Sequence, residues 1–172
     1  MSEERLTALE ARLDRLDSIE SIRDLQQRYV RGLAARDADA MIALMTPDIV
    51  TDITWHGEIH GIDAVGEDMR LIFRNVRQLD GYVLSSPDIQ VDGDTATGVW
   101  TLHRHVADYP LPHGGFQRVW GVWQECRYRC SYRREAGVWK IARIHFRSVA
   151  PDPDHDDKIK AEAARTGGFK TD

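Results

Sequence analysis

Leucines at positions 6, 9, 13 and 16 recur at alternating intervals of three and four, with Thr, Glu, Arg and Asp among the residues between them. That period places them on one face of a helix about two heptads long, too short to be stable by itself, which predicts packing on its own domain or on a partner subunit. The apolar pattern runs on through Ile19, Ile22, Leu25, Tyr29 and Leu33, predicting a second helical segment whose apolar edge faces the core; Ser18 supplies only a weak capping signal between the two. Asp37 can cap a short helix over Ala38–Met45, and Pro47 bars its extension. A strand over Ile49–Trp55, a turn at His56-Gly57 and a helix from Gly61 bearing Val65, Met69, Ile72 and Phe73 on one side follow.

From Gly81 the period changes to two. Tyr82–Gln90, Thr95–Val106, Phe116–Arg133 and Val138–Val149 read as strands, joined by the Asp92-Gly93-Asp94 turn, a long loop rich in Pro and Gly, and the Glu135-Ala136-Gly137 turn. Helices first and an antiparallel sheet afterwards define an α+β domain over residues 1–150, with 151–172 as a charged tail.

Strand parity sorts the side chains into two faces. The drier face carries Trp100, Leu102 and Arg104 on one strand, and Trp120, Gln124, Cys126, Tyr128 and Cys130 on the next. Arg104 is a cation on an otherwise apolar face, so it needs an acidic partner, with Asp52 and Asp24 as candidates, or a cavity to line. Tyr29 on the helix and Tyr82 at the start of a strand would point the same way, and two neutral phenols can polarise a carbonyl. Aromatic walls around one guanidinium suit an apolar small molecule carrying a single carboxylate, enolate or phenolate oxygen.

Composition narrows the partners. A net charge of −5 lacks the basic footprint of a nucleic-acid binder. No run approaches the roughly 20 apolar residues of a membrane span, and the acidic first twenty residues do not resemble a secretory leader, so a cytoplasmic location is expected. Cys126 and Cys130 would lie about 13 Å apart along a strand, beyond disulfide reach. His103 and His105 share a face and could begin a metal site if His56, His60 or an acid completed it, but solvent-facing or interface histidines are the reading preferred, and no metal or cofactor is expected.

Over residues 1–150 the helix IRDLQQRYVRGLAARDADAM, the strands around DGDTATGVWTLHRH and the closing YRREAGVWKIARIHF together resemble the SnoaL-like branch of the NTF2-like superfamily, which includes polyketide cyclases and bile-acid and scytalone-type dehydratases. The resemblance implies a cone in which N-terminal helices pack on a strongly curved sheet and enclose a pocket. In the dehydratase and dehydrochlorinase members an Asp on the helix and a His at the start of the sheet form the general base; the matching positions here are Ala34 and Tyr82, and an acidic position of the bile-acid enzymes falls at Arg104. A late-strand Arg has counterparts in Arg147 or Arg143. If the odd positions of the last strand face inward, His145 is the best remaining base.

The resemblance therefore implies a cofactor-independent lyase, isomerase or cyclase acting on a hydrophobic polycyclic or polyketide-like carbonyl compound. Tyr29, Tyr82, Arg104, His145 and Asp52 would carry the chemistry, and Leu33, Trp100, Leu102, Trp120, Tyr128, Phe146 and Arg147 would line the substrate. The alternatives are a non-catalytic module that binds a small apolar ligand or drives oligomerisation, and a subunit role like that of the small chains of ring-hydroxylating dioxygenases. A homo-oligomer, dimer or trimer, is expected from the leucine stripe and from Trp123 on the outer face.

Overall fold

The structure is a computed structural model that describes residues 2–53, 57–75, 81–110 and 116–149, with side chains described for all of these except 75, 105–110 and 116–122. Helix α1, Glu3–Ala35, opens on Ser2, whose side chain accepts from the Arg5 N–H at 3.4 Å. It closes on Arg36 in the left-handed conformation, whose N–H reaches back to the Gly32 and Leu33 carbonyls. The expected break at Ser18 does not occur. Ser18 is buried in mid-helix, and its hydroxyl donates to the Asp14 carbonyl at 2.7 Å, so the polar group that suggested a cap is satisfied one turn back instead.

Continuity of the helix also corrects the reading of one continuous stripe. At about 100° per residue, Leu6, Leu9, Leu13 and Leu16 lie on the side of α1 roughly opposite Ser18, Ile22, Leu25 and Tyr29. The first set is exposed and the second buried. α1 thus has two apolar faces in series, one for the core of its own domain and one pointing away from it.

Helix α2, Ala38–Ile42, is capped by Asp37, which accepts from the Ala40 N–H at 2.9 Å. It ends earlier than expected because strand β1 already begins at Met45 and runs to Ile53. Pro47 therefore lies inside a strand. It falls within the register shift between Met45 and Val50, where the missing N–H leaves no ladder bond unmade. Strand β2, Gly57–His60, pairs antiparallel with β1, and helix α3, Ile62–Asn75, buries Val65 and Met69 against β1 and α2.

Strands β3 (Tyr82–Asp92), β4 (Thr95–Pro110), β5 (Phe116–Glu135) and β6 (Val138–Ser148) complete a six-stranded sheet in the order β2-β1-β6-β5-β4-β3. Every neighbouring pair is antiparallel except β1 with β6. The β5–β6 turn places Ala136 and Gly137 at φ 48° and 81°, the left-handed pair that a two-residue hairpin demands. The sheet is curved and not closed, and register shifts interrupt four of its pairs. One, at Ser86-Pro87 with Ser86 at φ 51°, switches the inner face of β3 from Tyr82 and Leu84 to Ile89 and Val91. Another, at Ala142, does the same in β6, from Trp139 and Ile141 to Ile144 and Phe146. α1 lies across the inner face against β3 and β6. The 151–172 tail and the 111–115 loop fall outside the described residues.

Candidate ligand site on the inner face

Parity on β4 and β5 holds. Trp100, Leu102, Cys126, Tyr128, Cys130 and Tyr132 are buried, while Val99, Trp123, Arg127 and Arg129 are exposed on the other face. At the bottom of the inner face the Trp100 indole N–H donates to the Tyr132 hydroxyl at 2.8 Å. That hydroxyl donates to the Gln26 carbonyl oxygen at 2.8 Å. Trp100, expected to line substrate, therefore commits its polar edge to a strut that ties α1 to the sheet. Gln26 was not foreseen. Its one available signal was its place three residues before Tyr29, on the buried side of the helix.

Higher on the same face the sequence-predicted polar residues converge. Tyr82 stands opposite Arg104 in the β3–β4 register, and Arg104 opposite Gln124 in the β4–β5 register. The Arg104 Nε donates to Gln124 Oε1 at 2.8 Å, and its guanidinium lies 5.6 Å from the centre of the Phe146 ring. Phe146 packs on Tyr128 at 4.7 Å, and Tyr128 meets Tyr29 edge-on at 6.0 Å. Leu102 is fully buried beneath them, and Leu33 and Tyr82 are half-buried at the margin. The Gln124 amide, and neither Asp52 nor Asp24, is the described acceptor of the Arg104 Nε. Asp24 instead pairs with Arg28 and Arg31 on the solvent side of α1.

Burial is the largest cause raising the Tyr29 phenol, with Cys130 and Tyr82 adding to it and a hydrogen bond with Tyr128 opposing it. Tyr128 is raised for the same leading reason, although the Arg104 charge works against the rise. Both phenols are neutral at pH 7, hence hydrogen-bond donors and not bases.

Asp52, His145 and Arg147 are on the other face. The bulge at Ala142 turns Ile144 and Phe146 inward, and β1 sends Thr51 inward beside Ile144, so Asp52 and His145 pair in register on the outer side. There Arg147 donates to the Asp52 carboxylate at 2.7 Å and to the Asp52 carbonyl at 3.0 Å, with the His145 Nε2 3.7 Å from the same carboxylate. His145 and Asp52 therefore cannot act on a ligand held beside Tyr29, and Arg147 cannot line it. Trp120 has no described side chain. Two clefts bordered by described residues open elsewhere, one beside Gln90, Thr95 and Arg133 and the other beside Asp17, Asp24 and Trp139.

The outer trio has a measurable acid signature. Hydrogen bonding from Arg147 is the main cause holding the Asp52 carboxyl below its usual range, helped by the charges of Arg147, His145 and Arg143. A carboxyl depressed in the folded state stabilises the fold above its unfolded pKa of about 3.9, and that contribution disappears as pH falls through the lower folded value. Asp52→Asn should therefore lower the urea midpoint at neutral pH, with the gap from wild type closing only below about pH 4 and shrinking in high salt.

Helices laid across an open, strongly curved six-stranded sheet, with aromatic and cationic groups gathered on its inner face, define an NTF2-like cone protein. The chain matches the family model of the SnoaL-like domain over residues 14–145, and it belongs to that family. An NTF2-like protein of unknown function from Pseudomonas putida KT2440 superposes with a TM-score of 0.67 at 20% identity, over 81% of this chain and 91% of that one. An NTF2-like protein with a cystatin-like fold from Novosphingobium aromaticivorans gives 0.64 at 24%, over 91% and 97%. The hexachlorocyclohexane dehydrochlorinase LinA-type3 from Novosphingobium barchaimii LL02 gives 0.62 at 19%, over 80% and 90%. At such identities the likeness is one of fold. No helix among the described residues is long and apolar enough to cross a membrane.

Proposed function

We propose that this chain is a cofactor-independent lyase, isomerase or cyclase that binds an apolar carbonyl compound, polycyclic or polyketide-like, between α1 and the inner face of β3–β6. The observation that carries the reading is Arg104, whose Nε donates to Gln124 and whose guanidinium lies over Phe146, beside a wall of phenols. Such a group lowers the energy of negative charge developing on an oxygen placed against it, and a site that excludes water strengthens the effect. Tyr29 and Tyr82 add neutral donors to the same oxygen.

This set supplies the electrophilic half of a proton transfer next to a carbonyl. Asp52 and His145 are not its basic half, because they face away. A second reading, a non-catalytic module that binds the same kind of ligand, draws on Ala34 and Tyr82 standing where the dehydratase members of the family keep their Asp and His.

Native mass spectrometry of the freshly purified protein, before and after organic extraction, would show whether an apolar carbonyl compound is retained. Compounds of that class would then be screened for turnover by absorbance, alongside Tyr29→Phe. Under the enzyme reading Tyr29→Phe lowers kcat roughly tenfold with little change in KM, since one hydrogen bond to a developing oxyanion is lost. Binding without any turnover would select the module, and a protein that takes up none of these compounds would sink both readings.

A further inference from the structure

The leucine face of α1 is left without a partner by its own domain. From Ser2 to Asp17 every residue is exposed, and Leu6, Leu9, Leu13 and Leu16 are 45–59% exposed. The side of the helix that docks on the sheet is the opposite one, fixed by Asp14 pairing with Arg134 at 3.0 Å and by buried Ser18 and Ile22. Four aligned leucines projecting into solvent on a rigid helix are costly to leave wet. The family match begins only at residue 14, so most of this face precedes the shared domain.

The charges beside the leucines say what covers them. Assigning Leu6 and Leu13 to position a and Leu9 and Leu16 to position d puts Arg5 and Arg12 at g, and Glu3, Glu10 and Asp17 at e. Every g position is basic and every e position acidic. In a parallel pair of helices g faces the e of the next heptad across the seam, so Arg5 meets Glu10 of the partner subunit and Arg12 meets Asp17 of the partner subunit. In an antiparallel pair g faces g and e faces e, which sets Arg against Arg and carboxylate against carboxylate. Among the described residues Arg5, Glu10, Arg12 and Asp17 have no ionic partner within the chain, so they are available for the seam.

We infer that the N-terminal half of α1 seats a second copy of this chain, parallel and in register, through a leucine seam flanked by Arg–carboxylate pairs. Beyond residue 17 the same face turns polar with Glu20, Asp24, Gln27 and Arg31, so the seam is confined to about two heptads. Association through so short a seam is concentration-dependent.

Sedimentation velocity of the full chain over a concentration series tests this. Wild type should self-associate, and Arg5→Glu with Arg12→Glu should weaken association at least tenfold. Adding Glu10→Arg and Asp17→Arg to that double variant should restore it. Ser2→Cys, at the preceding d position, should form an interchain disulfide on mild oxidation, because only a parallel seam brings the two positions together. All of these side chains are exposed, so an unchanged urea midpoint separates lost association from lost folding. Wild type sedimenting as a single chain throughout, an assembly indifferent to the double reversal, no restoration in the quadruple variant, or no crosslink would each overturn the proposal.

Discussion

Tyr132→Phe is expected to lower stability by about 2–4 kcal/mol, more than removal of one hydroxyl from a surface tyrosine would. The Tyr132 hydroxyl both accepts from Trp100 and donates to Gln26. Its loss leaves a buried indole N–H and a buried amide carbonyl without their partner at once, and each orphan costs about 1–3 kcal/mol. The two rings also fill the space above Gly98, where a β-carbon would lie 2.9 Å from the Trp100 Nε1 and 3.0 Å from the Tyr132 ring. The measurement is the urea midpoint with the m-value held fixed. A loss under about 0.5 kcal/mol would mean that the strut is not formed in solution.

Arg104→Leu is expected to reduce turnover of the proposed carbonyl substrate by about a hundredfold or more, the scale of removing a principal oxyanion donor from a water-excluding site. The change should fall on kcat, because charge on the substrate oxygen develops in the transition state and not on binding. Arg104→Lys should recover part of the loss by restoring the charge, but not all of it, because an ammonium lacks the planar fork that holds Gln124 while stacking on Phe146. Equal activity in Leu, Lys and wild-type proteins would remove Arg104 from the chemistry, whatever its effect on stability.

Much of the cone was legible because its strands alternate cleanly. The parity of β4 and β5 followed from one apolar set against one charged set, and it placed Trp100, Arg104 and Tyr128 on the buried side correctly. Parity failed where the backbone broke it. Nothing in Lys140–Arg143 marks Ala142 as a bulge, so whether His145 faced in or out could not be settled by counting, and with it went the role of Asp52. The Arg104–Gln124 pair was illegible for a different reason. The pattern in the sequence ends β4 at Val106 and leaves a long Pro- and Gly-rich stretch before Phe116, and only a tight turn lets the cross-strand register be counted from sequence. In α1 the periodicity was sound but the face was not, because leucines before Ser18 and apolar residues after it share a helical repeat while lying half a turn apart.

Cys126 and Cys130 are free and buried on the inner face, with the Cys130 thiol pushed up to about 12 by burial. Burial likewise lifts Cys126. A thiol so protonated and enclosed reacts with an alkylating reagent only during moments when its cover lifts. The two sulfurs are therefore a native clock for the opening of the cone, with Cys126 beneath the Arg104 end and Cys130 across the strand from Gly98 near the Trp100 strut. Their separate labelling rates would time how often each end of the interior is laid bare, without any probe added to the chain.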